Sequence, residues 1–179
     1  SGWITPVQTF INKTKYDVSQ IEPNIAAYYT VDGTLYSMPF NSSTPILYYN
    51  KTALQEAGIT DVPKNFDDII AMSAKLKQTN ADGTVKRYGF GMGNYGWFFE
   101  QWIGKMGKQY ANNNNGRGAK PATAVAFDSN GAGLQIVQTW EKLLSSGVMP
   151  YLNQGNNDAK AAFISGDIAM TLESTAALK

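Results

Sequence analysis

Short strand-like runs alternate with helical patterns along this chain, and that alternation constrains its fold more than any other feature. The aromatic and β-branched run 46–49 is followed by a predicted helix over 51–57, and Gly58 suits the left-handed position after a helix end. Asn65 is a suitable N-cap for the next helix, because its side chain can accept a hydrogen bond from an amide of the first turn. Such alternation is typical of an α/β fold with a mainly parallel sheet flanked by helices.

The pattern continues through the second half of the chain. Strands are predicted at 85–91, 124–127 and 168–172, and helices at 97–106, 134–144 and 158–165. Helical spacing places Phe98 and Trp102 in the core, and Ser174 is a candidate N-cap for a final helix. Segment 107–123 includes Asn112 to Asn115 and almost no large apolar residue, so we expect a surface loop that burial does not stabilise.

The sequence contains no histidine and no cysteine, which excludes several kinds of site. Zinc sites of ordinary ligands, thiol nucleophiles, Ser-His-Asp relays and disulfides all need one of these residues, and no metal site is expected. Lysine and arginine number 15 against 14 aspartates and glutamates, a formal net charge of +1. Because nucleic-acid binding relies on a positive field that neutralises several phosphates, no nucleic-acid partner is expected.

The glycine-rich segment 91–96 matches Gly-x-Gly-x-x-Gly between a predicted strand and a predicted helix. That is the context of a dinucleotide site, in which an acidic residue about 20 residues further on holds the ribose. Residues 111–115 contain no carboxylate. The segment is therefore interpreted as a strand-to-helix turn in which glycine allows close approach of the backbone, and no cofactor is expected.

Two groups of side chains are candidates for ligand contact. Ser42 and Ser43 lie in a hydroxyl-rich segment, 40–45, between predicted strands, and open α/β sheets bind ligands at strand ends. Tyr95 and Trp97 lie at the predicted turn before a helix, where a ring can stack on a sugar or an alkyl chain. Each group also has a plainer interpretation: local hydrogen bonding for the serines and core packing for the rings.

A series of short segments carries a family resemblance by its order along the chain. The segments are 39–51 (PFNSSTPILYYNK), 57–58, 62–68, 88–90, 96–97 with 99–100, 127–129, 147–150 and 163–171. In this succession they resemble the extracellular solute-binding proteins of bacterial ABC importers, in the maltose-binding-like superfamily. Within it, segment 40–45 looks most like the glycerol-3-phosphate-binding subgroup. The resemblance runs from about Tyr28 to Leu178.

The resemblance implies a type II fold like that of periplasmic binding proteins, with two α/β lobes that close on the ligand. It implies that the chain is a fragment of a two-lobed protein. Residues 1–41 would be a remnant of the first lobe and the hinge approach, and residues 42–179 most of the second lobe. The N-terminal part of the first lobe and the C-terminal third of the whole protein would be missing.

The resemblance also implies which residues bind the ligand. The candidate residues are Ser42, Ser43, Tyr95, Trp97, Ser174 and Thr175. The first two match the family's serine-rich ligand segment, Trp97 matches a stacking tryptophan, and the last two match hydroxyl residues after a strand. The related subgroup tends to carry a second tryptophan three places before Trp97, where this chain has Asn94.

We therefore expect a non-catalytic component of an ABC importer that binds glycerol-3-phosphate or a related phosphorylated polyol and delivers it to membrane permease subunits. An oligosaccharide-binding protein of the same superfamily is one alternative. A glycosidase that uses Glu100 and Glu173, and a purely structural module, are alternatives from other classes. The expected location is extracytoplasmic, either in a periplasm or lipid-anchored on the outer face of the bacterial cell membrane, and the fragment is expected to be monomeric.

Overall fold

The computed structural model describes residues 2–151 and 157–178, which form two compact units, Ser1–Thr44 and Pro45–Lys179. The elements of the first unit are α1 (Val7–Thr14), α2 (Pro23–Tyr29), β1 (Thr30–Val31) and β2 (Thr34–Leu35). The two strands form an antiparallel hairpin. Its turn residues Asp32 and Gly33 both have positive φ, 47° and 73°, which a turn of this kind requires.

The second unit mixes helices and strands, as an α/β chain should. Its elements are β3 (Pro45–Tyr49), α3 (Lys51–Glu56), α4 (Phe66–Leu76), β4 (Gln78–Thr79), β5 (Val85–Arg87), α5 (Gly96–Lys105), α6 (Asn112–Gly116), α7 (Ala132–Ser145), α8 (Asn157–Ser165), β6 (Met170–Ser174) and a 3-10 turn (Thr175–Ala177). None of the helices in the described ranges has both the length and the hydropathy needed to cross a membrane.

The helices begin and end where the local sequence predicts. The Asn65 side chain accepts a hydrogen bond from the amide of Asp68 at 2.8 Å, which confirms the predicted cap of α4. Asn50 caps α3 in the same way, through the amide of Ala53 at 3.1 Å. Gly58 follows α3 with φ of 66°, a left-handed conformation that costs glycine little.

The sheet at the centre of the second unit is mixed, whereas the sequence analysis predicted a mainly parallel one. β3 and β6 pair antiparallel, with Tyr48 opposite Thr171. On its other edge Thr171 forms a parallel bridge with Gly91, and Tyr88 forms another with Ile168. Apolar periodicity shows that a segment is extended but does not show its direction, because direction depends on how the chain returns from a distance.

Segment 107–123 is mainly surface loop, as predicted, but it contains the short turn α6. Asn113, Asn114 and Asn115 have φ of 53° to 55°, in the left-handed region that asparagine tolerates better than most residues. The Asn112 carboxamide oxygen accepts from the amide of Thr123 at 2.9 Å. Side-chain amides therefore hold this loop in place of apolar burial.

Three predicted strands differ from the structure. The strand predicted at 85–91 is shorter, because β5 covers only Val85–Arg87 and single bridges follow at Tyr88 and Gly91. Segment 124–127 is not a strand, because Val125 makes only a single antiparallel bridge with Ala111. Val125 is 44% exposed, so no second strand covers it and the pairing does not extend. The last strand, predicted at 168–172, has its ladder at Met170–Ser174.

The main core lies between the mixed sheet and its helices. Phe90 and Phe98 are fully buried in it, which confirms the prediction for Phe98, and Trp102 packs against it while partly buried. Gly89 lies directly against α4, where a side-chain carbon in its place would overlap the backbone of the buried Ser73. The missing side chain at Gly89 therefore sets the distance between the sheet and α4.

This contact predicts that Gly89→Ala lowers the free energy of unfolding by about 2–3 kcal/mol, because one added carbon forces the sheet and α4 apart. Gly104→Ala is the matched control, since Gly104 is a helical residue with open space around it. That change should be neutral or stabilise by up to about 1 kcal/mol. Urea unfolding followed by circular dichroism measures both, and equal midpoints for the two variants would contradict the close packing.

Candidate functional site

The glycine-rich segment 91–96 connects the sheet to α5. The amide of Gly91 donates to the carbonyl of Met170 at 3.0 Å, which ties the start of the segment to β6. Tyr95 has extended backbone angles (φ −146°, ψ 166°) and is the N-cap of α5, without a side-chain capping bond. The interpretation of this segment as a strand-to-helix turn is confirmed, and the turn places Tyr95 and Trp97 at the start of α5.

Tyr95 and Trp97 lie side by side. Their ring centroids are 6.2 Å apart with an interplanar angle of 29°, so the rings are stacked. Tyr95 also meets the buried Phe98 edge-on at 5.1 Å, which anchors its ring to the core. Both Tyr95 and Trp97 are half-buried, so each ring packs on one side and leaves surface that a ligand can contact.

A cavity of about 370 Å³ opens beside the start of α5. Its walls are formed by Asn94, Tyr95, Gly96, Phe99 and Trp140. The volume lies at the lower end of the range for small-molecule sites. The sequence analysis did not assign Trp140 to the site. The sequence nevertheless gives one indication of a role for Trp140, because a buried indole N–H usually needs a hydrogen-bond partner.

The electrostatic surroundings of this cavity are neutral to negative. None of its five wall residues is lysine or arginine. Burial raises the pKa of Tyr95 above its usual value near 10, and the negative charge of Glu173 raises it further. Glu173 is only 9% exposed, and its carboxylate accepts a hydrogen bond from the amide of Ser174 at 2.7 Å. The surroundings therefore favour neutral ligand groups at the cavity.

Ser174 and Thr175 lie where β6 ends and are not part of the cavity wall. The Ser174 hydroxyl accepts from the amide of Ala176 at 3.0 Å, so it caps the next turn of the chain, as predicted. In place of the predicted helix, however, that turn is a 3-10 turn of three residues. The Ser174 carbonyl accepts from the Tyr48 hydroxyl at 2.9 Å, which fixes the strand end. The Ser174 hydroxyl can still donate its proton to a ligand.

Ser42 and Ser43 belong to the first unit. Both are exposed, in a stretch without regular secondary structure between β2 and β3. Among the six predicted site residues, the structure thus brings Tyr95 and Trp97 into contact and places Ser174 next to Thr175 at a strand end. The two serines of the first unit offer exposed neutral hydroxyl groups.

Sequence comparison identifies relatives with assigned ligands. The chain is 32% identical over 177 residues to the sn-glycerol-3-phosphate-binding periplasmic protein UgpB of Shigella flexneri serotype 5b (strain 8401), an alignment that covers 92% of this chain and 37% of that protein. The UgpB protein of Escherichia coli (strain K12) has the same identity and coverage. The chain therefore spans just over a third of the length of these relatives.

Solved structures share the fold at lower sequence identity. The UgpB protein of Mycobacterium tuberculosis, in complex with glycerophosphocholine, has a TM-score of 0.71 and 22% identity, and the match covers 98% of this chain and 41% of that one. An ABC transporter solute-binding protein of Thermotoga lettingae TMO, bound with α-D-tagatose, has a TM-score of 0.70 and 21% identity, with 98% and 44% coverage. These matches confirm the predicted α/β fold of the periplasmic-binding-protein type.

The family assignment rests on the whole sequence. Residues 1–179 match the family described as bacterial extracellular solute-binding protein. The family description and the periplasmic relatives support the extracytoplasmic location that the resemblance implied. The chain belongs to the bacterial extracellular solute-binding protein family.

Proposed function

We propose that this chain is part of the substrate-binding component of a bacterial ABC importer whose ligand is glycerol-3-phosphate or a related phosphorylated polyol. The observation that carries the proposal is the stacked pair Tyr95–Trp97 beside a cavity of about 370 Å³, in a chain 32% identical to glycerol-3-phosphate-binding proteins. A half-buried ring next to a small cavity is suited to stacking on the carbon skeleton of a polyol.

In this proposal each candidate residue has one role. Trp97 and Tyr95 stack on the ligand, while Ser42, Ser43 and Ser174 donate hydrogen bonds to its oxygens. Thr175 adds a further hydroxyl group at the strand end. Because these donors are neutral, any cation that neutralises a phosphate comes from other residues than these.

We propose that the longer protein has two lobes, in which residues 1–41 are a remnant of the first lobe and residues 42–179 form most of the second. It delivers its ligand to membrane permease subunits, either free in a periplasm or anchored by lipid. The chain itself is a monomer. Its membership of a solute-binding family gives no support to a glycosidase built on Glu100 and Glu173.

A neutral saccharide is the second candidate ligand. The cavity wall has no cationic residue, and the nearby Glu173 adds negative charge. The Thermotoga lettingae protein with the same fold is bound to α-D-tagatose, a neutral sugar. A neutral sugar needs no counter-charge, so this candidate fits the electrostatics of the cavity.

The first prediction compares the 179-residue chain with its two-lobed parent. Because closure of two lobes buries the ligand between them, the chain alone supplies only part of the contacts and should bind at least tenfold more weakly. Calorimetric titration of both proteins with glycerol-3-phosphate measures the difference. Equal affinities would show that the assignment of the lobes is wrong.

The second prediction concerns Trp97. In the parent, Trp97→Ala should weaken ligand binding at least tenfold, because removing a stacked ring from a desolvated site costs about 2 kcal/mol or more. Phe98→Ala is the matched control: Phe98 is the adjacent ring and is fully buried. It should lower stability by about 3–5 kcal/mol. If Trp97→Ala lowers stability as much and leaves the affinity per folded molecule unchanged, Trp97 is a core residue only.

The third prediction separates a phosphorylated ligand from a neutral one. A hydrogen bond to a charged oxygen is worth about 1.5–3 kcal/mol against about 1 kcal/mol for a neutral one. Ser43→Ala in the parent should therefore weaken glycerol-3-phosphate more than glycerol or a neutral saccharide. Ser37→Ala, a change at another exposed serine of the first unit, should leave both affinities unchanged. Tight saccharide binding without any response to phosphate esters would overturn the proposed ligand while the transport role stands.

A further inference from the structure

We propose that the cavity beside the start of α5 binds a hydroxyl group of the ligand, with Asn94 and Trp140 as its hydrogen-bonding residues. This cavity therefore receives the polyol or sugar portion of the ligand, and the phosphate lies elsewhere. The inference rests on the proposed function, because it assigns a subsite within the same binding region.

Two buried polar atoms belong to residues of the cavity wall. Asn94 Oδ1 and Trp140 Nε1 are buried and have no hydrogen-bond partner within the described residues. Both residues belong to the wall of the same cavity. Buried polar atoms are rarely left unpaired, because they lose their bonds to water and gain nothing in return. A ligand group that pairs both atoms would remove that penalty.

The two atoms differ in their hydrogen-bonding chemistry. The indole N–H is only a donor, and the amide oxygen is only an acceptor. A hydroxyl group donates one hydrogen bond and accepts others, so the hydroxyl groups of a ligand suit both kinds of atom. An ionised phosphate oxygen accepts but does not donate, so it would leave Asn94 Oδ1 unpaired.

The charge around the cavity also favours a hydroxyl group over a phosphate. The cavity wall is uncharged, and the carboxylate of Glu173 is close enough to help raise the pKa of Tyr95, a wall residue. A phosphate placed here would lose its hydration without meeting a cation and would be repelled by that carboxylate. A hydroxyl group avoids both penalties.

The Trp140 ring is held rigidly by its neighbours. Trp140 lies on α7, and its ring packs at 6.0 Å from Phe99 and at 5.7 Å from Trp102, both on α5. Phe99 also meets Phe127 edge-on at 5.0 Å. Aromatic neighbours therefore hold the indole in place, so that its N–H has a fixed direction before the ligand binds. A donor fixed in advance loses little entropy on binding.

The test uses Trp140→Phe in the two-lobed parent, because phenylalanine keeps an aromatic ring and removes the N–H. Calorimetry with glycerol-3-phosphate, D-mannitol and a panel of neutral saccharides should show about fivefold weaker binding of each of these hydroxyl-bearing ligands that the parent binds. The affinity for inorganic phosphate should not change. Trp3→Phe is the matched control, since Trp3 is 89% exposed and is not part of the cavity wall, and its ligand affinities should equal those of the parent.

Asn94→Leu provides an independent second variant, because it replaces the amide with an apolar side chain of similar shape and leaves Trp140 and its aromatic neighbours Phe99 and Trp102 in place. It should weaken the hydroxyl-bearing ligands to a similar extent and leave phosphate unaffected. If neither Trp140→Phe nor Asn94→Leu weakens these ligands, the subsite is wrong. An equal loss of inorganic phosphate affinity would also overturn it.

The outcomes separate this inference from the proposed function. If the parent binds only neutral polyols or saccharides, the proposed phosphorylated ligand is wrong, and fivefold weakening of the neutral ligand by Trp140→Phe still supports the subsite. If glycerol-3-phosphate binds and both variants leave its affinity unchanged, the subsite alone is wrong. A parent that binds no hydroxyl-bearing ligand overturns both.

Discussion

The structure of the second unit depends on the hydrogen bonds that segment 168–174, which is β6 with the two residues before it, makes on both of its edges. One edge pairs with β3, and the other forms bridges with the segment 88–91. The amide of Ala169 donates to the carbonyl of Tyr88 at 3.0 Å, and the amide of Asn50 donates to the carbonyl of Ala169 at 2.9 Å. Because β6 holds both partners, it also fixes where the segment 91–96 leaves the sheet and where α5 begins. The positions of Tyr95 and Trp97 depend on that junction.

Local features of the fold could be predicted from the sequence, and long-range ones could not. Asn65 and Gly58 act within one turn of the chain, so their residue types alone indicate where helices begin and end. The direction of β3 relative to β6 involves residues more than a hundred positions apart, and no local pattern encodes it. The turn at Asn113 to Asn115 was missed for a different reason: its stabilisation comes from side-chain amides, which an argument from apolar burial does not count.

The same division applies to the site. Tyr95 and Trp97 are two residues apart at a strand-to-helix turn, so their neighbourhood could be predicted from spacing. Trp140 reaches the cavity only because α7 packs against α5, and its helical spacing indicates burial without indicating what its N–H meets. The ligand roles of Ser42, Ser43, Ser174 and Thr175 stay predictions, because they depend on contacts with a ligand.

The long separation between β3 and β6 also has a consequence for biosynthesis. The hydrogen bond from the Tyr48 hydroxyl to the Ser174 carbonyl joins residues 126 positions apart. At 5–20 residues per second, a ribosome needs about 6–25 s to make that stretch. During this interval the apolar strand Pro45–Tyr49 has emerged, while the strand that covers its edge does not yet exist. An unpaired strand edge is a template for aggregation, so this edge of the nascent chain is exposed to wrong pairing until residue 174 has left the ribosome.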